Sequence, residues 1–394
     1  MIKKLIILLS FCIPIFAITL SKAKYLALKN SDSIKIIKES VNIEGINIIK
    51  QEKYFQQNPE LSSSFTKNKG SLNTYEISIS QRFNLAHQKY FRKNIALCSY
   101  QIQNIILEQT KKDIAAQIEN IFISVWANKE KISLLNKIIY YEEKVKDNIS
   151  KKIKLGFSPK GDTLPILLDL AKYKAQKNNL KYNIEIQILK LEQYTKKNIQ
   201  AIDTSFYKNF NPINQKNIKS KINNTYQIKI INKKIQKMRY KLDKLQSSKN
   251  LPYINLNVGY SKDTGQNKYS IGFSIPLNIS NNTSQNISMT LKNISKLSFQ
   301  KNDIKHKILN QLFEKYKTIQ NLEISKKLYE KQILPSLHAY LNNAKKRYEN
   351  GEIPIEIFEN AIQKYVQVNM SYINFEKNIL KNKIEIMKTV GGKL

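Results

Sequence analysis

The strongest constraint on this chain is an interruption that occurs twice. Long stretches carry helical periodicity, and two of them stop at a Gly-x-x-Pro cluster. The first is Gly156 to Pro159 in "KLGFSPKGD", the second Gly351 to Pro354 in "RYENGEIPIEIFENA". With only ten glycines and nine prolines in 394 residues, such pairs are informative, and the two glycines lie 195 residues apart. Other landmarks repeat at nearly the same offset. Pro59 matches Pro252 at 193 residues, and Tyr75, Ile77, Ile79, Phe83 and Leu85 match Tyr269, Ile271, Phe273, Leu277 and Ile279 at 194. Offsets this consistent read as a tandem duplication, with a first repeat over 24–220 and a second over 221–394.

Each copy carries two short runs of period two, the signature of strands with one apolar and one polar face. Tyr75, Ile77, Ile79, Phe83 and Leu85 alternate with Glu76, Ser78, Ser80, Arg82 and Asn84. Ile254, Leu256, Val258 and Tyr260 alternate with Asn255, Asn257 and Gly259. Strands are expected at about 60–66 and 75–85, and at about 253–261 and 269–279, joined as hairpins through "KNKG" and "KDTG". The remainder has helical spacing. Ile118, Ile121, Val125, Ile132, Leu135 and Ile139 form one stripe, and Phe358, Ala361, Tyr365, Val368, Tyr372, Phe375 and Ile379 form a heptad seam, which implies helix-on-helix packing. A helix without proline is expected from about 86 to 154, roughly 100 Å long at 1.5 Å per residue. Its counterpart, about 287–350, contains Pro335, where a kink is expected. Return helices follow at about 162–197 and 355–390, and shorter helices at about 27–57 and 222–249 lead into the strands. Residues 198–221 read as an irregular belt. The fold class is therefore mainly α with a small β part.

The formal charge is +36, from 66 Lys+Arg against 30 Asp+Glu. The lysines are scattered singly along helical faces, a distribution that offers no focused groove for nucleic acid. The N-terminus, "MIKK" followed by "LIILLSFCIPIFAITL" and "SKA", reads as a signal peptide over 1–23 cleaved after Ala23. Phe11 before Cys12 argues against a lipidated cysteine, and Cys98 reads as a core position. His87, His306 and His338 are isolated, so neither a metal site nor a cofactor is expected. No constellation of acid, base and nucleophile suggests an enzyme. Four strands cannot close a barrel alone, and open edges are not tolerated in lipid. If the strands span a bilayer, several chains must share one barrel.

These residues together resemble the TolC-like outer-membrane efflux proteins. The resemblance rests on "NPEL" (58–61), "ISISQRFNL" (77–85), "LPYINLNVGYS" with "YSIGFSIPL" (251–277), and the two Gly-x-x-Pro segments. "NLAHQKYFRK" departs from the pattern by lacking the glycine pair often found after the first hairpin. The resemblance implies a homotrimer with a twelve-stranded barrel in outer-membrane lipid and a long α-helical tunnel in the periplasm. It implies a passive exit duct working with a periplasmic adaptor and an inner-membrane pump of RND, ABC or MFS type. The tips Leu155, Gly156, Phe157, Ser158 and Pro159, with Gly351, Glu352, Ile353 and Pro354, would then dock the adaptor. Asp162, Glu356 and Glu359 would fall at the periplasmic gate. Read without the resemblance, these acids are helix-start carboxylates favoured by the helix dipole. The competing reading of the whole chain is a secreted, basic coiled-coil scaffold outside any membrane.

Overall fold

A computed structural model of the chain describes residues 17–67, 70, 73–157, 159–205, 220–263, 265–277 and 282–391. Most of the signal segment (1–16, with Cys12), Ser158 and most of the expected belt lie outside the described residues. The described elements follow the same order in both halves. Helices α1 (Leu20–Asn30) and α2 (Asp32–Glu52) precede the hairpin β1 (Glu60–Thr66) and β2 (Thr74–Asn84). Then come the long helix α3 (Gln88–Lys154), a 3₁₀ turn (Lys160–Asp162) and α4 (Thr163–Thr195). The second half runs through α5 (Tyr226–Ser247), β3 (Tyr253–Asp263), β4 (Gln266–Ser274), α6 (Thr283–Leu328), α7 (Leu334–Glu349) and α8 (Ile355–Val390). The fold is mainly helical with one small sheet, as the periodicities lead one to expect. The chain divides into two compact units, each drawing on both halves: residues 1–32, 111–219 and 310–394, and residues 33–110 and 220–309.

In the unit of residues 33–110 and 220–309, the four strands form one antiparallel sheet in the order β1-β2-β3-β4. The register sets Leu61 opposite Ile79, Ile79 opposite Val258, and Val258 opposite Ile271. One face is therefore an apolar row. The other face carries Ser62, Ser78, Gly259 and Ser270 side by side. The Oγ atoms of Ser62 and Ser78 are 2.7 Å apart, and a Cβ added to Gly259 would lie 2.7 Å from the Ser270 Oγ. Strand β4 ends at Ser274, earlier than the expected 279. The physical reason is Pro276, two residues on, which has no N–H to donate to a further rung. Residues 278–281 lie outside the described set. Below the sheet, Ile34, Val41, Ala96, Cys98, Ile102, Ile228 and Ile231 are buried, so Cys98 is the core residue its spacing suggests.

In the unit of residues 1–32, 111–219 and 310–394, the core follows the helical stripes. Leu135, Ile138, Ile139, Val145 and Ile149 of α3 pack with Ile166, Leu170 and Tyr173 of α4 and with Phe358, Ala361, Ile362 and Val366 of α8. The kink expected at Pro335 takes the form of a π turn, Tyr329–Ile333, between α6 and α7, with the proline in the first turn of α7. The missing Pro335 N–H and the bulk of its ring are accommodated where the helix widens.

Helix α1 is built into this unit. The Ile18 backbone N–H donates to the Ala201 carbonyl at 2.9 Å, and the Asp203 N–H donates to the Ile18 carbonyl at 3.0 Å. Thr19 caps α1, Ala23 and Ala27 are fully buried, and the Asn30 side chain donates to the Thr195 carbonyl at 2.6 Å. The segment 17–23, which cleavage after Ala23 would remove, thus makes backbone bonds and fills part of a core. A chain beginning at Lys24 should melt several degrees below one beginning at Ile18. Equal melting curves for the two would show that these contacts contribute nothing.

Candidate functional site

The two helical hairpins turn in the same way. At the end of α3, Gly156 has φ +78°; its N–H donates to the Ile153 carbonyl and the Phe157 N–H to that of Lys152, at 3.0 and 2.8 Å. At the end of α7, Gly351 has φ +74°; its N–H donates to the Tyr348 carbonyl and the Glu352 N–H to that of Arg347, at 3.0 and 2.8 Å. This paired 5→2 and 6→1 bonding is the Schellman C-cap, and its left-handed residue favours glycine. The prolines follow at the next helix boundary. Pro354 is the N-cap of α8, whereas Pro159 precedes a 3₁₀ turn before α4 begins.

The tips differ in what they present. Leu155 and Phe157 are 69% and 78% exposed. Ile353 turns inward and is buried in the same core as Phe358. Glu352 is held by the Arg347 Nε at 3.3 Å and the Asn350 Nδ2 at 3.0 Å. Gly156, Pro159, Gly351 and Pro354 lie at the surface.

Of the three acids read from sequence, Glu356 is exposed, Asp162 is half-buried, and Glu359 is only 2% exposed. Glu359 sits in a buried acid cluster with Glu142 of α3 and Asp169 of α4, which are 0% and 6% exposed. Its carboxyl group lies within hydrogen-bonding reach of both. Asp169 has donors: Gln363 Nε2 at 2.8 Å and, toward solvent, Lys172 Nζ at 3.8 Å. The four oxygens of Glu142 and Glu359 find no protein donor. Two ionised carboxylates cannot donate to each other, so the arrangement is satisfied only when a proton sits between them. Burial, more than neighbouring charge, lifts Glu359 to about 9 and Glu142 to about 7. The same desolvation, reinforced by these acids, raises the phenol of Tyr173, whose hydroxyl is buried without a partner. Tyr348, stacked on Phe358 at 5.1 Å, lies near both Asp162 and Glu359 and is pushed up to about 12, again chiefly by burial.

Sequence reasoning found one member of this cluster and missed Glu142, Asp169 and Tyr173. The signal was available. Glu142 stands between Ile138 and Val145 on the α3 stripe, Asp169 between Ile166 and Tyr173 on that of α4, and Glu359 between Ile355 and Ile362 on that of α8. Three acids occupy positions whose spacing demands apolar side chains. Among the described residues, no group of His, Cys, Asp or Glu has the geometry of a metal site.

The sign of the pH effect follows. A carboxyl whose folded pKa is raised gives stability that is whole below its unfolded pKa, near 4.5, and is lost as pH rises through the folded value. The melting temperature should therefore fall between about pH 5 and pH 9. Glu359→Gln, which cannot ionise, should flatten that slope and raise stability at pH 8 by on the order of 1–3 kcal/mol. Thermal melts of both proteins at pH 5, 7 and 9 check this, and parallel slopes would count against the shared proton.

No protein-family model matches the sequence, and no curated protein does. Solved structures do match. A membrane protein from Pseudomonas aeruginosa superposes with a TM-score of 0.83 at 12% identity, covering 95% of this chain and 90% of that one. The VceC outer-membrane protein of Vibrio cholerae gives 0.79 at 12% identity, covering 95% and 96%. The CmeC outer-membrane channel of Campylobacter jejuni gives 0.77 at 14% identity, covering 95% and 85%. The fold of this chain is that of the TolC-like outer-membrane channels its sequence resembles.

Proposed function

We propose that the chain is an outer-membrane exit duct, passively conducting substrates delivered by an inner-membrane pump through a periplasmic adaptor. The observation that carries this reading is the sheet. Tyr269, Ile271 and Phe273 are 82%, 82% and 77% exposed, and Leu61, Phe65, Tyr75, Ile77 and Ile79 are all more than half exposed. They form an apolar band on one face, while the opposite face is polar, with Ser62, Ser78, Asn255, Gly259 and Ser270 alongside Glu76, Arg82 and Lys268. Among the described residues, β1 and β4 each leave one edge unpaired. In water such a sheet would aggregate through its edges and its apolar face. Both are resolved if copies of the chain join edge to edge into a closed barrel in lipid. A trimer supplies twelve strands, and the outer membrane is the location that fits. No helix among the described residues is long and apolar enough to cross a membrane.

The exposed Leu155 and Phe157, with Leu164 and Leu168 after the turn, would give the adaptor an apolar contact. The second tip would contribute its shape through Gly351, Glu352 and Pro354. At a gate, the exposed Glu356 and the half-buried Asp162 would meet solvent, and Glu359 would act through the buried cluster. Purified protein should form oligomers in detergent and open discrete channels in planar bilayers. Ile77→Lys with Ile271→Lys should abolish insertion, since each lysine at mid-bilayer costs roughly 2–4 kcal/mol. A protein that stays soluble in the periplasm would instead support the scaffold reading. Leu155→Ser with Phe157→Ser should leave conductance intact and weaken adaptor binding by ten-fold or more, read by titration with the purified adaptor.

A further inference from the structure

A second site lies where β2 gives way to α3, wholly within the unit that contains the sheet. A cavity of about 510 Å³ is lined there by Glu52, Tyr54, His87, Lys89, Arg92 and Lys93, among others. Arg92 is only 8% exposed, yet its Nε and Nη2 have no hydrogen-bond partner. These two nitrogens form the edge of the guanidinium that grips a carboxylate or phosphate with two parallel bonds. Glu52, the carboxylate of the cavity wall, is engaged elsewhere: Lys93 Nζ lies 2.5 Å from its Oε1. Lys89 Nζ sits 5.0 Å from the centre of the Tyr54 ring.

The remaining charge near Arg92 is of the same sign. Lys244 of α5 is half-buried beside it, and its ammonium is pushed down by burial and then by Arg92. The cavity also faces the start of a 67-residue helix that has no acidic residue in its first turn. The helix dipole there favours an anion. A buried guanidinium without a counter-ion is costly, so this constellation calls for an anionic partner.

We propose that the cavity binds a phosphoryl group, that of an anionic glycerophospholipid headgroup. The choice of a lipid rests on the duct reading; the anion site itself does not. If the apolar face of β2 lies in lipid, the residues just past Asn84 meet the headgroup layer. Tyr54 and Tyr90, both lining the cavity, are residues suited to that boundary. The volume suits a headgroup better than a single ion.

The test uses the full chain, purified in detergent and stripped of lipid. Dihexanoyl phosphatidylglycerol, dihexanoyl phosphatidylcholine and inorganic phosphate are titrated separately by calorimetry. Phosphatidylglycerol should bind more tightly than phosphatidylcholine, whose choline meets the lysines. Arg92→Gln should weaken phosphatidylglycerol binding by about ten-fold or more. Lys89→Gln, at the exposed rim, should weaken it by a smaller factor and provides the test if the Arg92 variant does not fold. Arg92-dependent binding of inorganic phosphate without preference for phosphatidylglycerol would support the anion site and assign it to free phosphate. Binding of all three probes unchanged in both variants would overturn the proposal, as would a site already filled by a second copy of the chain. Vesicle flotation separates the two readings: a chain that binds the probes but does not enter bilayers keeps this site and loses the duct.

Discussion

The helical hairpins depend on one repeated contact, the apolar stripe of one helix laid along the stripe of the next. Each stripe is short of hydrogen-bonding work to do, because a helix satisfies its own backbone except at the ends. The ends therefore need separate solutions. The same Schellman turn provides one in both halves, and Thr19 with the Ile18 backbone provides another at α1. Packing along the stripes fixes which residues meet, so it also fixes where the exceptions fall. Glu142, Asp169 and Glu359 meet because they stand at stripe positions on three helices that converge.

A buried carboxyl cluster of this kind is a poor source of stability. Apolar side chains of similar volume would fill the same space without the desolvation cost. Its effect is instead to make the packing of three helices conditional on proton occupancy, with Tyr173 held close by and its hydroxyl unspent. An adjacent cavity of about 360 Å³ is lined in part by Lys172, Tyr173 and Gln363, and Gln363 is the residue that donates to Asp169.

Much of the fold was legible in the sequence because two different periods write themselves plainly. Alternation gave β1, β2 and β3 within a residue or two, and the stripes of α3, α4 and α8 followed from three- and four-residue spacing. The end of β4 was not read correctly: Leu277 continues the alternation, but Pro276 removes the donor that a further rung requires. The Pro335 break was legible, while its form as a π turn was not, since that depends on how the neighbouring turns share the strain. Of the carboxyl cluster only Glu359 was singled out, and for its position after the turn. Glu142 and Asp169 look like ordinary surface acids until the stripe is drawn through them. Arg92 escaped notice for a related reason: one cation among 66 carries no signal until its surroundings show that nothing neutralises it.

The row Ser62, Ser78, Gly259 and Ser270 carries a further consequence. In the closed barrel proposed above, side chains this small on the inner face would let neighbouring strands roll inward, with Tyr269, Ile271 and Phe273 on the outer arc. Curvature in a closed sheet is fixed by strand number and stagger together, and small inward residues permit the tighter bend without filling the bore. The calibre of any pore the chain helps to form is thus limited at this level by backbone rather than by side chains. A single methyl group at Gly259 would meet the Ser270 hydroxyl first, and rotation of that side chain rather than movement of the strands would make room for it.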